Sequence, residues 1–93
     1  MDAAITIQQL GGMSQLRAMV NARNFLTDAD TLHFTFSGYR KANKAIITLD
    51  PSDTYTLRIF STRTMKDVHE TSGIYCDSLK TVFEHATGLH LSL

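Results

Sequence analysis

The sequence predicts an α+β fold: an antiparallel three- to four-stranded sheet flanked by a short N-terminal helix and a C-terminal helix, in the order α-β-β-β-β-α. Three observations predict it. Leu32, Phe34 and Phe36 alternate with His33, Thr35 and Ser37, and Tyr55, Leu57 and Ile59 alternate with Thr54, Thr56 and Arg58. Each pattern is that of a strand with one buried face. The connections between successive strands are short, which implies an antiparallel meander. Near the end, Leu79, Val82, Phe83 and Ala86 fall at i, i+3, i+4 and i+7, one apolar stripe on a helix that needs a sheet to cover.

From the N-terminus, Ala4, Ile5, Ile7 and Leu10 suggest a short helix over Ala3 to Leu10, with Asp2 as its N-cap and Gly11-Gly12 as its stop. No GxGxxG or GxxxxGK[ST] pattern surrounds the two glycines, so they read as a hinge or cap and not as a phosphate cradle. Gln15 to Val20 fits two periods: Leu16, Met19 and Val20 suit a helix, and Leu16, Ala18 and Val20 suit a strand. The strand is preferred, because a second helix there would leave a sheet edge exposed. Asn21 to Asn24 then reads as a turn, with Phe25 and Leu26 returning briefly to the core.

The first clear strand begins near Asp30, and Ser37 to Lys44 is a polar loop. Ala45 to Leu49 is the next strand, and Asp50-Pro51-Ser52-Asp53 a turn whose proline presets φ. Thr54 to Phe60 is the third clear strand. Ser61 to Ser72 is polar, with Met65 and Val68 as its apolar anchors. It leaves open a longer last strand, another strand or a crossover. In the final helix, Asp77 or Ser78 suits the first-turn cap and Gly88 the left-handed stop. Leu89 to Leu93 alternates and suits an extended tail beside that helix. Phe34, Phe36, Ile47, Leu49, Leu57 and Ile59 share the face the helix covers.

The totals bound the function. Ninety-three residues suit one domain over 1-93, and 43% hydrophobic with 19% charged residues describes a globular chain. Nine Lys and Arg balance nine Asp and Glu. That balance argues against a general nucleic-acid binder, while leaving room for a local basic patch and for self-association. One cysteine excludes an internal disulfide. The N-terminal residues carry no basic, apolar leader pattern, and no apolar run approaches the roughly 20 residues of a membrane span. A cytoplasmic protein without membrane contact is the expectation.

Candidate chemistry is sparse. Tyr39, Arg40, Lys41 and Lys44 combine cations with an aromatic ring, as phosphate contact and base stacking require, although a solvated hairpin loop is the plainer reading. The order α-β-β-β-α resembles double-stranded RNA-binding domains. Those modules carry a lysine-rich start to the second helix, where this chain has Lys80 alone. His33, His69, His85 and His90 show no His-x3-His or Cys-x2-Cys spacing, so no metal or other cofactor is expected. Asp77, Ser78 and His85 have the residue types of a hydrolase triad. Asp77 and Ser78, as chain neighbours, cannot flank the histidine from opposite sides. Cys76 near a helix start has the setting of a reactive thiol, though a buried structural cysteine is the commoner outcome. An enzyme is not expected.

Several pieces of the chain resemble a group of short uncharacterised proteins of bacteriophages and prophages. They are Leu10-Gly11-Gly12, Ala18-Met19 with Ala22-Arg23-Asn24-Phe25, Lys41-Ala42-Asn43, Asp53-Thr54-Tyr55, and above all the C-terminal residues. There the pattern is Tyr75-x-Asp77-x-Leu79, Phe83-Glu84, Thr87-Gly88-Leu89 and Leu91-Ser92-Leu93. The resemblance implies a small phage accessory protein in the bacterial cytoplasm, of host-takeover or anti-defence type, binding a host or phage protein. The polar face His33, Thr35, Thr48, Thr56 and Arg58 is the expected partner surface. A nucleic-acid module using Tyr39 to Lys44, and a structural or self-assembling virion component, are the alternatives.

Overall fold

The computed structural model describes residues 2 to 91. Two helices, α1 (Ala3–Gln9) and α2 (Met13–Val20), precede five strands: β1 (Arg23–Thr27), β2 (Thr31–Thr35), β3 (Lys44–Leu49), β4 (Tyr55–Ser61) and β5 (Lys66–Ile74). A 3-10 turn over Cys76–Ser78 leads into α3 (Leu79–Thr87). The strands form one antiparallel sheet in the order β1-β2-β3-β4-β5. The α+β class, the antiparallel sheet and both terminal helices are as the sequence predicts. Among the described residues the sheet has five strands, not three to four, and a third helix is present.

The extra helix is α2, where the sequence pattern favours a strand. Leu16 and Val20 are buried at helical spacing and Met19 packs beside them. Gly12 opens the helix at φ 94°, and Asn21 closes it at φ 55° with its N–H on the Arg17 carbonyl. Both glycines have positive φ, so the chain turns sharply enough between α1 and α2 to lay both helices on the same core. The edge that such a strand would cover is left open at β1, which is short and irregular. Its pairing with β2 shifts between Arg23 and Leu26, around Asn24 at φ 58°. A bulge of this kind discourages further pairing. It also turns Phe25 inward against Phe34, with ring centroids 5.4 Å apart, and leaves Leu26 outside at 65% exposure. Leu26 therefore does not return to the core.

The fifth strand is β5, the part of Ser61 to Ser72 that the sequence leaves open. Its side chains are almost all exposed, so burial gives it no period to read.

Every described helix lies on one side of the sheet. Phe34, Leu57, Ile59 and Ile47 meet Leu79 and Phe83 of α3 and Leu16 and Val20 of α2 in one buried cluster. The Phe34, Phe36 and Phe83 rings lie within 6.4 Å of one another, centroid to centroid. Thr6 of α1 shares a 3.3 Å hydroxyl contact with Tyr55, which ties that helix to the start of β4.

The caps follow expectation in part. The Asp2 carboxylate accepts from the Ala4 and Ile5 N–H groups, and Gly88 ends α3 at φ 73°. Neither Asp77 nor Ser78 caps α3 with its side chain; the 3-10 turn feeds the helix instead, and the Ser78 N–H donates to the Tyr75 carbonyl. The stripe of α3 centres on Leu79, Phe83 and Thr87, with Val82 and Ala86 half-buried at its margin. The tail docks as far as Leu91, which is fully buried and donates its N–H to the Glu84 carboxylate at 2.7 Å. Ser92 and Leu93, the last members of the C-terminal pattern, lie outside the described residues.

Candidate nucleic-acid interface

Antiparallel strands alternate direction, so the end of β2 lies beside the starts of β1 and β3, and the end of β4 beside the starts of β3 and β5. The register makes this explicit: Arg23 faces Thr35, Thr35 faces Lys44, Lys44 faces Phe60, and Ser61 faces Lys66. At that end of the sheet stand Arg23, Arg40, Lys41, Lys44, Arg63 and Lys66, six of the nine cationic side chains. At the opposite end stand Asp28 and Asp30 between β1 and β2, and Asp50 and Asp53 between β3 and β4. Asp2 joins them at the start of α1 and Asp77 after β5, so six of the nine acids gather there. Strands of six and seven residues hold the two sets roughly 20 Å apart. A formal charge of zero thus conceals two poles.

Among the described residues, none of these six cations forms a salt bridge; the ion pairs there are His33 with Asp28 and Arg58 with Asp67. Arg23, Arg40, Lys41, Arg63 and Lys66 are exposed, and Lys44 is half-buried at the start of β3. Asp67, the acid beside Lys66 at this end, is engaged by Arg58; like charges gathered in excess cost the fold repulsion, and a bound polyanion relieves it.

Two turns build most of this pole, and one side chain joins them. Asn43 donates from Nδ2 to the Thr62 hydroxyl at 2.8 Å, and its Oδ1 accepts from the Thr62 N–H at 3.0 Å and the hydroxyl at 3.1 Å. The loop before β3 is thereby fastened to the β4–β5 turn. Between them lies a shallow groove lined by Tyr39, Arg40, Ala42, Asn43, Ser61 and Arg63. Ala42 is buried and Tyr39 packs against the core, so the loop is anchored from beneath while Arg40 and Lys41 project outward. Of the sequence-predicted set, Arg40 and Lys41 stand in the open. Tyr39 is a half-buried wall of the groove, and Lys44 belongs to a strand, not the loop.

Arg23, Arg63 and Lys66 are not among the cations that the sequence singles out, and the reason is physical. Their placement follows from pairing β1 and β5 with the rest, and neither strand carries a clear apolar alternation.

The five residues of the other expected surface share one face. His33, Thr35, Thr48, Thr56 and Arg58 all lie on the sheet face that no described helix covers, in rows fixed by the pairs Thr48–Thr56, Thr35–Lys44 and His33–Ile46–Arg58. That face is less polar than the threonines imply. Ile46 sits at its centre, 7% exposed and outside the main core cluster, and Phe60 is half-buried beside Lys44. Arg58 is held by both carboxylate oxygens of Asp67 at 3.2–3.3 Å. Thr56 donates to the Asp50 carboxylate at 2.7 Å, so both residues have partners of their own.

The remaining candidates do not converge. His69 and His85 line a groove between β5 and α3, whereas His33 lies on the open face and His90 beyond α3. Among the described residues no three His, Cys, Asp or Glu side chains gather as metal ligands do. Ser78 meets Asp77 only at 3.5 Å, and His85 lies seven residues further along. Cys76 is exposed, not buried. No described helix is long and apolar enough to cross a membrane.

Comparison with family models, curated proteins and solved structures gives no match. Function is therefore inferred from the geometry.

Proposed function

We propose that this protein is a non-enzymatic nucleic-acid-binding module that grips the phosphate backbone with the cationic end of its sheet. The observation that carries this is the segregation of Arg23, Arg40, Lys41, Lys44, Arg63 and Lys66 at one end without ion-pair partners among the described residues. Cations from three neighbouring segments present a surface and not a point, which suits a chain of phosphates better than a single small anion. Association is steered by the long-range field, and affinity falls with added salt as counterions return. The test is fluorescence anisotropy of a labelled oligonucleotide across a KCl series. Binding at low salt, with log affinity falling linearly against log salt, supports the proposal. No binding at low salt, or binding indifferent to salt, refutes it.

A second reading is favoured by a different observation. The open sheet face carries Ile46 and Phe60 among His33, Thr35, Thr48, Thr56 and Arg58, and a partly apolar face that no described helix covers is suited to a protein partner. The resemblance to phage and prophage proteins supports such a partner in a host or phage protein, met in the bacterial cytoplasm. The uncharged variants Ile46→Thr and Phe60→Thr, which add no carboxylate beside Lys44, separate the two readings when assayed by co-purification from host lysate. They abolish recovery of a protein partner if the face binds it, and leave oligonucleotide affinity near wild type if the cationic end binds alone.

A further inference from the structure

Met65 departs from two rules at once. Its φ is 58°, in the left-handed region, and its side chain is 70% exposed at the tip of the β4–β5 hairpin. The other described non-glycine residues of positive φ are Asn21, Asn24 and Asp53, whose short polar side chains suit that region. The turn itself demands the conformation. The Met65 N–H donates to the Ser61 carbonyl at 2.8 Å, and Lys66 resumes pairing opposite Ser61 at the next residue. Glycine or asparagine would meet that demand at lower cost. Methionine meets it under strain, and exposure denies it the hydrophobic gain that burial returns. A residue that costs the fold and sits on its surface points to a use outside the fold.

Its position narrows that use. Met65 stands between Arg63 and Lys66, two cations of the cationic pole that form no salt bridge among the described residues. An apolar, polarisable side chain flanked by cations has the chemistry of a nucleic-acid strand in complement. Cations take the phosphates, while the thioether and its methylenes lie on a base face or enter between two bases.

We infer that Met65 is the apolar tip of the binding site, placed against nucleobases while Arg63 and Lys66 hold the flanking phosphates. This rests on the nucleic-acid reading of the cationic pole and adds the base-contacting element to it. Unpaired strands and duplexes both offer base faces, the first by stacking and the second at a wedged step. Both therefore serve as probes.

The experiment uses the full chain and its Met65→Asn and Met65→Leu variants. Anisotropy is measured with a labelled single strand and a labelled duplex across a KCl series, and thermal unfolding is followed by circular dichroism. Met65→Asn is expected to unfold a few degrees higher, because asparagine relieves the backbone strain. It is expected to bind about fivefold or more weakly, with an unchanged salt slope, since no cation is lost. Met65→Leu should retain most of the affinity without the thermal gain. A larger loss on the single strand identifies stacking, and a larger loss on the duplex identifies a wedge. Met65→Asn binding as tightly as wild type, beside a steep wild-type salt slope, overturns the inference and leaves the cationic site standing. A lower unfolding temperature for Met65→Asn overturns its basis in strain. Wild-type protein that binds neither probe overturns both the inference and the reading beneath it.

Discussion

Arg40 and Arg63 line one groove although they belong to different turns, and neither forms a salt bridge among the described residues. Two guanidinium groups lining one groove from neighbouring turns suit the phosphates of one strand. Each is expected to account for about one unit of the salt slope. Arg40→Ala and Arg63→Ala should each weaken oligonucleotide binding severalfold at low salt, and the double variant should flatten the slope further. Anisotropy across a KCl series reads this directly. Single variants with wild-type slope and affinity would remove this groove from the site.

Asn43 offers a more discriminating case, because it carries no charge. Its side chain fastens the loop before β3 to Thr62, and so fixes where Arg40 stands relative to Arg63. Asn43→Ala should weaken binding while leaving the salt slope near wild type, since every cation remains. It should also cost about 1 kcal/mol of stability, the usual scale for lost side-chain hydrogen bonds. Denaturant unfolding beside the binding series checks both halves. Unchanged affinity would show that the two turns hold their places without this clamp.

Asp2 supplies the opposite control. It caps α1 and stands at the acidic pole, beside Leu49, Asp53 and Tyr55. Asp2→Ala is expected to lower stability by about 1 kcal/mol through loss of the cap. Thermal unfolding should then fall by about 5 °C for a domain of this size. Oligonucleotide affinity should not fall. A loss comparable to that of Arg63→Ala would mean that binding is not confined to the cationic end.

The two poles also predict how copies of the chain treat one another. With no net charge to keep them apart, the cationic end of one copy attracts the acidic end of the next. At low ionic strength, sedimentation velocity should show apparent mass rising with concentration, and added salt should return it to that of the monomer. An oligonucleotide should do the same by occupying the cationic end. Monomer at every salt concentration would show that the poles are too well hydrated to dock.

Much of the fold was legible because burial leaves a period in the sequence. Leu32 and Phe34, Leu57 and Ile59, and the α3 stripe of Leu79 and Phe83 are all fully buried, and all show in the pattern. Asp2 and Gly88 were legible because caps have residue preferences. The failures share the opposite cause. In β5 nearly every side chain meets water, so neither period is imposed, and β1 is broken by its bulge at Asn24. In α2 a short segment satisfied both periods, and only the glycine turn before it decides. The site was half-legible for the same reason. Arg40 and Lys41 advertise themselves as a run, whereas Arg63 and Lys66 join them only once β5 is paired with β4.

The most direct measurement of where this protein binds is an NMR titration of isotope-labelled protein with a short oligonucleotide at low salt, following every backbone amide. The expected shifts cluster at Arg23, over residues 38–44 and over residues 61–66, with the acidic end unmoved. Shifts centred on His33, Ile46, Thr56 and Arg58, or no shifts at saturating oligonucleotide, would contradict the assignment of the cationic end as the binding site.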